Sequence, residues 1–393
     1  MKLTKSLFVS AVLFLSATGA QAAGFVQKGN YLTVQLKQHQ NYGPSQIRLQ
    51  VVSDRIIRVQ ATAEQSFRSK QSLIIVPQNS KAKYKVEEQG DDLIITTAAM
   101  RAVLNETTGQ ITFYDLKDQV LLKEVAQGGK TFKPFTVPDR EIGVDIAKVP
   151  EAQKHGWSWR ALFDSPDNEA FYGLGQHQSE ELNMKGKNED LFQYNTKVSV
   201  PFVISNKNYG ILWDSYSYSR WGNPEDYLQL NRAFKLYDKD GKEGQLTGTY
   251  VAKDGKKIVR GEDSIYFEYA MPETSEICNK TDKGGIQNLP KGFALNGSKV
   301  VYEGYMEAPT SSFYQFILYY AGYMKIYIDG KLVVPERWRT AWNPNSYKFE
   351  TAIPKGKKTP IRIEWQPDGD VSYCGLRVAA PRSEAEKNQL SIW

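Results

Sequence analysis

Residues 31–60 read YLTVQLKQHQNYGPSQIRLQVVSDRIIRVQ, and this stretch decides the fold of the chain. Runs of β-branched, aliphatic and aromatic residues lie at positions 31–36, 47–52 and 56–59, and turn-forming residues separate them. Branched side chains pack well on the pleated surface of a sheet, whereas glycine, proline, asparagine and aspartate favour turns. The stretch therefore predicts successive β-strands joined by short turns.

The same spacing continues along the first third of the chain. Further short apolar runs lie at residues 73–76, 93–97 and 111–114. Turn signals separate such runs about every 8–12 positions, which is typical of a β-sandwich. No long segment of this region has helical periodicity, so an all-β sandwich is predicted.

A second strand-rich block runs from residue 267 to residue 380. Residues 238–262 are polar and rich in lysine, and we predict that they form the connection to it. Apolar runs predict strands at residues 300–305, 313–320, 324–328 and 361–365. Asp329 and Gly330 follow one of these runs and precede another at 332–334, which predicts a tight hairpin. The fold class predicted for the whole chain is all-β, with two β-sandwich domains.

A helix is predicted only near the end of the chain. Ser383 and Glu386 have the spacing of a capping box, in which each side chain bonds to a backbone N–H of the first helical turn. Few residues follow before Trp393, so this helix is expected to be short.

The first 22 residues have the three parts of a secretory signal. Lys2 and Lys5 precede an apolar run at residues 7–15, and Ala20-Gln21-Ala22 follows as a cleavage-site pattern. The apolar run is too short to span a bilayer, and no cysteine follows it that could carry a lipid. We therefore predict export to the periplasm or beyond the cell, a mature chain that begins near Ala23, and no membrane anchor.

Charge gives little support for a polyanionic partner. The net charge is +6 at pH 7 over 393 residues, and lysines and arginines alternate with acids instead of forming a dense basic block. Nucleic-acid binding is therefore not predicted.

The cysteines and histidines are few and widely separated. Cys278 and Cys374 are the two cysteines, and in an oxidising compartment they either form a disulfide or remain two buried thiols, with equal weight for each. His39, His155 and His177 are too scattered for a metal-site motif. No metal and no cofactor are predicted.

Residues 171–197, FYGLGQHQSEELNMKGKNEDLFQYNTK, form a long polar stretch that we call the polar arc. Gly173 and Gly175 are predicted to let a strand approach its neighbour closely. Long loops in compact domains usually bind something, and amides bond to sugar hydroxyls both as donors and as acceptors. Side chains of this kind in the polar arc are Gln176, His177, Gln178, Asn183, Asn188, Gln193 and Asn195. The polar arc is therefore predicted to face a carbohydrate.

The polar arc and its flanks resemble a known family. NEAFYGLGQ at 168–176, LFQYN at 191–195, VPFVIS at 200–205 and YGILWD at 209–214 resemble the galactose-mutarotase-like N-terminal β-sandwich of glycoside hydrolase family 31. That family contains α-glucosidases and α-xylosidases. The resemblance implies that the polar arc lies over the mouth of a separate (β/α)₈ barrel. It also implies that Asn195 takes the place of a polar residue, often aspartate, that contacts the sugar.

The second block resembles the protective-antigen type of β-sandwich, on the segments YEGY at 302–305, KIYIDGKL at 325–332 and IEW at 363–365. A family 31 sandwich with this insert is similar to α-xylosidases that act on xyloglucan oligosaccharides. The resemblance implies that the insert lengthens the aglycone side of the site. Trp338, Trp342 and Tyr373 are candidates for stacking on sugar rings, and the alternative for each is packing in the core.

Catalytic residues are not predicted in this chain. Retaining hydrolysis of glycosides needs two carboxyl groups about 5–5.5 Å apart. In family 31 these are aspartates of the barrel, and neither the Trp-x-Asp-Met-Asn type of segment nor a βα alternation occurs here. The chain alone is therefore predicted to hydrolyse nothing.

These observations divide the chain into a signal (1–22), a family 31 N-terminal sandwich (23–229), an inserted protective-antigen-like domain (230–380) and an incomplete return segment to the first sandwich (381–393). The predicted function is the non-catalytic, substrate-shaping part of an exported α-glycosidase. Its partners would be a xyloglucan-type or α-glucan oligosaccharide and a barrel supplied in cis or by a split gene. The alternatives are a free carbohydrate-binding protein and an extracellular interaction module. An exposed apolar patch is expected for the enzyme part and not for a free binding protein.

Overall fold

The structure is a computed structural model that describes residues 24–38, 40–67, 71–76, 80–136, 146–148, 150–177, 181–193, 197–215, 217–222, 227–270, 289–341 and 345–393. Among the described residues, strands make up 57% and helices 4%, which confirms the all-β class with sandwich architecture. The predicted signal at 1–22 lies outside the described residues, as do His39, Gln178, Asn195, Cys278 and Trp342.

The strands are numbered in chain order. Those of the N-terminal half are β1 (Phe25–Lys28), β2 (Tyr31–Gln35), β3 (Gln46–Ser53), β4 (Ile56–Thr62), β5 (Tyr84–Gln89), β6 (Asp92–Thr97), β7 (Met100–Asn105), β8 (Ile111–Asp115), β9 (Val120–Glu124), β10 (Lys130–Thr136), β11 (His155–Asp164), β12 (Phe171–Gln176), β13 (Glu189–Leu191), β14 (Val198–Ser205), β15 (Tyr209–Leu212) and β16 (Ser219–Trp221).

The later strands are β17 (Leu228–Gln229), β18 (Lys235–Tyr237), β19 (Leu246–Val251), β20 (Lys257–Glu262), β21 (Ile265–Ala270), β22 (Lys299–Glu307), β23 (Ser312–Tyr320), β24 (Gly322–Ile328), β25 (Lys331–Arg339), β26 (Asn345–Ile353), β27 (Lys358–Gln366), β28 (Ser372–Val378) and β29 (Gln389–Ile392). The helical segments are α1 (Glu151–Lys154), α2 (Leu230–Ala233), α3 (Glu384–Lys387) and a 3₁₀ turn at Ile146–Lys148. No helix within the described ranges is long and apolar enough to cross a bilayer.

The first sandwich packs two sheets against each other. A four-stranded sheet has the order β1-β2-β3-β4, and a ten-stranded sheet has the order β13-β16-β29-β11-β9-β8-β7-β6-β5, with β10 paired to β11. Every second side chain of β2 and of β6 is buried, as the two-residue period of a strand requires. The core between the sheets consists of Leu32, Val34, Ile47, Leu49, Val51, Leu93, Ile95, Leu104 and Ile111. The strands predicted from residues 31–60 are thus confirmed.

Residues 73–76 do not form the predicted strand. The Ser72 hydroxyl accepts the backbone N–H of Ile75 and donates to Asp214, which holds the segment in a turn. Such local bonds between side chain and backbone compete with strand pairing. As a result Leu73 and Val76 are 80% and 74% exposed.

The second sandwich also has two sheets. One has the order β17-β28-β23-β26 with β21 paired to β28, and the other has the order β20-β19-β22-β27-β24-β25 with β18 paired to β22. Aromatic residues dominate the core, where Phe267 stacks on Tyr302 and on Trp365. Asp329 (φ 51°) and Gly330 (φ 75°) form the turn between β24 and β25, which confirms the predicted hairpin.

Residues 238–262 are not simply a polar connection. They contain β19 and β20, which pair with each other, and β19 also pairs with β22. Leu246 and Tyr250 point into the core and are fully buried. The charged residues lie on the outer face and in turns, so their abundance hid the alternating pattern of a half-buried hairpin.

The end of the chain returns to the first sandwich. Ser383 caps α3 with both hydrogen bonds of a capping box, as predicted. Strand β29 then pairs with β11 and, through Ile392, with Trp221 of β16. The domain boundaries themselves stay predictions.

Candidate functional site

The polar arc leaves the first sandwich through a tight contact between β12 and β14. Gly173 (φ 133°) and Gly175 (φ 97°) lie at an irregularity in this pairing. A Cβ atom would lie 2.6 Å from the Phe202 carbonyl oxygen at Gly173, and 2.1 Å from the Val198 carbonyl oxygen at Gly175. Both glycines therefore allow a close approach of the two strands, as the sequence predicted.

We expect Gly175→Ala to lower the free energy of unfolding by about 1–3 kcal/mol, because the new methyl group meets backbone and the φ value is strained for alanine. Urea denaturation followed by tryptophan fluorescence measures this change. Gly156→Ala is the matched control, since Gly156 lies in β11 with open space around the missing Cβ. Equal stability of the two variants would contradict the role given to Gly175.

The polar arc is not a single irregular loop. Strand β13 lies within it and pairs with β16. The buried Met184 donates its backbone N–H to the Phe171 carbonyl oxygen (2.8 Å) and accepts a bond at its own carbonyl oxygen from Trp221 Nε1 (2.8 Å). These contacts tie the middle of the polar arc to the core of the first sandwich.

A buried group of charged side chains, which we call the Glu189 cluster, contacts the polar arc on its buried side. It consists of Glu189, His177, Lys197 and Lys348. The Glu189 side chain is 2% exposed, and its carboxylate lies 2.8 Å from Lys197 Nζ, 2.6 Å from Lys348 Nζ and 3.2 Å from His177 Nδ1. Lys348 belongs to β26 of the second sandwich and also donates to the Asn188 carbonyl oxygen. The cluster therefore joins the polar arc to both sandwiches.

The charges in this cluster stabilise one another. Burial alone would raise the pKa of Glu189, but the contact with His177 and the charges of Lys348 and Lys197 lower that pKa well below its usual range. Burial likewise opposes the charge of Lys348, yet the Glu189 carboxylate raises the pKa of this lysine. Both groups are therefore ionised at neutral pH.

Several predicted sugar ligands have structural roles instead. The His177 side chain is 6% exposed and donates from Nε2 to the Leu174 carbonyl oxygen (2.7 Å). Asn183 Oδ1 accepts the backbone N–H of Phe171 (3.1 Å), and Asn188 Oδ1 accepts from Arg382 (2.6 Å). Their polar atoms are used to shape the polar arc, which corrects the binding role predicted for His177.

Gln176 and Gln193 remain exposed in the described part of the polar arc. Asn195 and Gln178 fall outside the described residues, so their predicted roles stay predictions.

The aromatic candidates of the second sandwich differ in how exposed their side chains are. Trp338 is 48% exposed and lies beside Tyr323 on the neighbouring strand, with 6.4 Å between ring centroids. Its Nε1 donates to Asp368 (2.8 Å). Tyr373 instead is buried against Ala321, so it cannot offer a ring face to a sugar, which corrects that prediction. Trp342 lies outside the described residues.

Cys374 is fully buried in β28. Because Cys278 lies outside the described residues, the pairing of the two cysteines stays a prediction. In the part of the chain that is described, no group of three or more His, Cys, Asp or Glu side chains is arranged to hold a metal ion.

One feature that sequence reasoning did not locate is an exposed apolar sheet surface. The sheet β12-β14-β15 buries Leu174 and Val203 on one side, and exposes apolar side chains on the other. This apolar face consists of Tyr172, Val198, Val200, Phe202, Ile204 and Leu212, which are 37% to 51% exposed. The register confirms one face, since Tyr172 lies opposite Ile204 and Phe202 lies opposite Leu212. The signal was present in VSVPFVIS, because every second residue from Val198 to Ile204 is a large apolar one, while Val203 on the other side is buried as well.

Comparison with known proteins finds similarity in the first sandwich. Residues 46–221 match the family described as the glycosyl hydrolase 31 N-terminal galactose mutarotase-like domain. The chain is 27% identical over 178 residues to an uncharacterized family 31 glucosidase of Pseudescherichia vulneris, over 43% of this chain and 32% of that protein. It is 25% identical over 185 residues to an α-xylosidase of Saccharolobus solfataricus, over 44% of this chain and 23% of that protein.

A solved structure extends the similarity to the second sandwich. The crystal structure of a GH31 α-xylosidase from Xanthomonas citri matches 94% of this chain and 37% of its own length, with a TM-score of 0.76 and 34% identity. The alignments thus span roughly a quarter to a little over a third of the length of these relatives. The predicted similarity to family 31 α-xylosidases is confirmed, and the protective-antigen type of the second sandwich stays a prediction.

Proposed function

We propose that this chain shapes the substrate site of an exported α-glycosidase of the α-xylosidase type. The proposal starts from the match of residues 46–221 to the glycosyl hydrolase 31 N-terminal domain. The catalytic carboxylates would belong to a (β/α)₈ barrel, and the chain would supply walls that orient the oligosaccharide. A second sandwich of protective-antigen type would lengthen the aglycone side. Export rests on the signal pattern at residues 1–22, and N-terminal sequencing of the secreted protein is expected to begin near Ala23.

The apolar face is the observation that carries this proposal. Large apolar side chains gathered on one sheet surface are costly to leave in water, and such patches mark surfaces that pack against another domain. Phe202 lies at the centre of this face, where its ring rests over Gly210 on the next strand. A barrel packed on this surface would bury all of these side chains.

The geometry of the polar arc fits the same arrangement. Gln176, in the first part of the polar arc, pairs with Val198, the residue that follows the polar arc, across β12 and β14. The polar arc therefore rises from the strands that carry the apolar face, so a barrel on that face would lie next to Gln176 and Gln193. Exposed amides in that position would bond to sugar hydroxyls.

The second sandwich offers an additional contact for a sugar. Trp338 and Tyr323 form an exposed aromatic pair beside the carboxylate of Asp368. A flat ring beside a hydrogen-bond acceptor suits a pyranose, which has apolar faces and polar edges. We assign this pair to the aglycone part of a xyloglucan-type oligosaccharide.

The alternative of a free carbohydrate-binding protein is less favoured. Such a protein would expose the apolar face permanently, and contiguous apolar patches on monomeric proteins are rare unless they bind a partner.

The proposal is tested by a chimera in which this chain replaces the matching N-terminal part of the Xanthomonas citri α-xylosidase. We expect the chimera to release xylose from xyloglucan oligosaccharides, and the mature chain alone to release none. Ile204→Asp in the chimera is expected to lower activity at least roughly ten-fold, because a carboxylate would be buried without a partner at the barrel contact. Val259→Asp is the matched control, since Val259 is an exposed valine of β20 on the second sandwich.

Two outcomes would contradict the proposed function. Release of xylose by the mature chain alone would show that it carries its own catalytic groups. Equal activity of the Ile204→Asp and Val259→Asp chimeras would show that the apolar face does not contact the barrel.

A further inference from the structure

A groove of about 700 Å³ lies where the two sandwiches meet. Its floor is the outer surface of β23 and β26, and its walls are the segment 379–382 and the turn of the polar arc at Lys185 and Gly186. We call it the junction groove. Its volume is within the range of about 300–1,000 Å³ that is usual for small-ligand sites.

The floor of the junction groove is apolar and flat. Phe313 lies there, near the start of β23, and is 71% exposed, which is a high exposure for a phenylalanine of a strand. Its partner across the strands is Ala352, whose small side chain leaves the aromatic ring open. Pro354 and Pro381 continue the apolar surface on either side.

A polar edge runs beside this floor. Gln315 and Glu350 lie opposite each other on β23 and β26, one step from Phe313 and Ala352 on the same surface. The Gln315 amide donates to the Gly186 carbonyl oxygen (2.8 Å), so its position is fixed by the polar arc. The hydroxyls of Ser311 and Ser312 lie at the other end of the groove.

The charged side chains that line the junction groove, three basic and one acidic, contact other groups of the protein. Glu350 lies 2.7 Å from Lys187 Nζ. Arg382 donates to Asn188 Oδ1 (2.6 Å), and Lys185 donates to the Ser165 carbonyl oxygen (3.2 Å). An uncharged ligand leaves these contacts in place, and breaking the contacts of a buried charged group is costly.

We propose that the junction groove binds an uncharged oligosaccharide, with the apolar face of one sugar ring on Phe313 and its hydroxyls on Gln315, Glu350 and the two serines. The choice of a sugar as ligand rests on the proposed function. Because Gly186 belongs to the polar arc and Phe313 to the second sandwich, a bound oligosaccharide bridges the two domains and contacts the segment that borders the apolar face.

Isothermal titration of the mature chain with xyloglucan oligosaccharides tests this inference, and xylan oligosaccharides that carry glucuronic acid are the charged comparison. We expect saturable binding of the xyloglucan oligosaccharides. Phe313→Ala is expected to weaken it at least about five-fold through loss of the stacking surface, and Phe313→Tyr to restore it. Phe135→Ala is the matched control, because Phe135 is an exposed phenylalanine of β10 that does not line the groove.

Three results would overturn the inference. They are absence of binding, equal affinity of wild type and Phe313→Ala, and tighter binding of the acidic oligosaccharides. If Trp338→Ala removes binding and Phe313→Ala does not, the sugar lies on the pair of Trp338 and Tyr323. The inference that the junction groove binds the sugar is then wrong, while the proposed function stands. Failure of the proposed function itself would appear in the chimera, which does not depend on Phe313.

Discussion

Replacement of Glu189 by alanine is expected to lower the free energy of unfolding by about 3–5 kcal/mol, because it leaves buried cations without their counter-charge. Lys348 and Lys197 have side chains that are both 10% exposed, and their ammonium groups lie within 2.8 Å of the Glu189 carboxylate. Urea unfolding at pH 7 measures the change. Glu87→Ala is the matched control, since Glu87 pairs with Lys85 on the surface and its loss should matter little.

The pH dependence of stability provides an independent check on Glu189. The pKa of this carboxyl is lowered in the folded chain, whereas in the unfolded chain it should be near the ordinary value of about 4.3. Its stabilisation is therefore fully present above about pH 4.3, and it is lost as the pH falls through the lower folded pKa. The difference in stability between wild type and Glu189→Gln should shrink with acidification. A difference that stays constant from neutral pH into strong acid would contradict the ionised state of Glu189.

A second variant separates lost charge from lost packing. In Glu189→Leu combined with Lys348→Met, an apolar pair replaces the ion pair, and buried ion pairs can often be replaced in this way at small cost. We expect the double variant to be less destabilised than the sum of the single variants. Strict additivity would mean that the two side chains do not act together.

Trp221→Ala is expected to destabilise the first sandwich by about 3–5 kcal/mol, which is the usual cost of removing a large buried aromatic side chain. Trp221 is fully buried, and its ring contacts Phe171 edge-on at 5.3 Å and stacks near Trp213 at 6.3 Å between centroids. Its Nε1 also holds the Met184 carbonyl oxygen in the polar arc. Thermal and urea unfolding measure the loss, and Trp157→Ala on an exposed tryptophan is the control.

Trp221→Phe tests the link to the polar arc more selectively. It keeps an aromatic ring and removes the Nε1 donor, whose loss should cost about 0.5–1.5 kcal/mol. We expect faster hydrogen exchange at the Met184 and Lys187 amides in this variant, with little change in the core of β2 and β3. Unchanged exchange at these amides would show that the hydrogen bond does not position the polar arc.

The positions of most strands could be read from the sequence because their cause is local. The alternation of apolar and polar residues in β6 and the turn at Asp329-Gly330 could be predicted without knowledge of distant residues. The exceptions have local causes as well. The hydrogen bond from the Ile75 backbone N–H to Ser72 holds residues 73–76 in a turn instead of a strand. In β19 and β20, surface lysines obscured the alternation of apolar and polar residues.

The roles of individual side chains in the polar arc depended on partners far away in the chain. His177 had the residue type and context of a sugar ligand, but its contacts with Leu174 and Glu189 place it in the interior. The pattern of the sequence does not distinguish a polar side chain that faces a ligand from one that faces a buried charge.

The sequence by itself determined the all-β class, the glycine contact between β12 and β14, and the similarity to family 31, because each depends on neighbouring residues or on their order. Only the tertiary structure decided which charges are buried and which apolar residues are left exposed. Lys348 and Glu189 are 159 positions apart, and in the sequence Lys348 is like any surface lysine on a strand. The physical reason is that burial and charge pairing are set by the packing of whole sheets, which no single stretch of residues specifies.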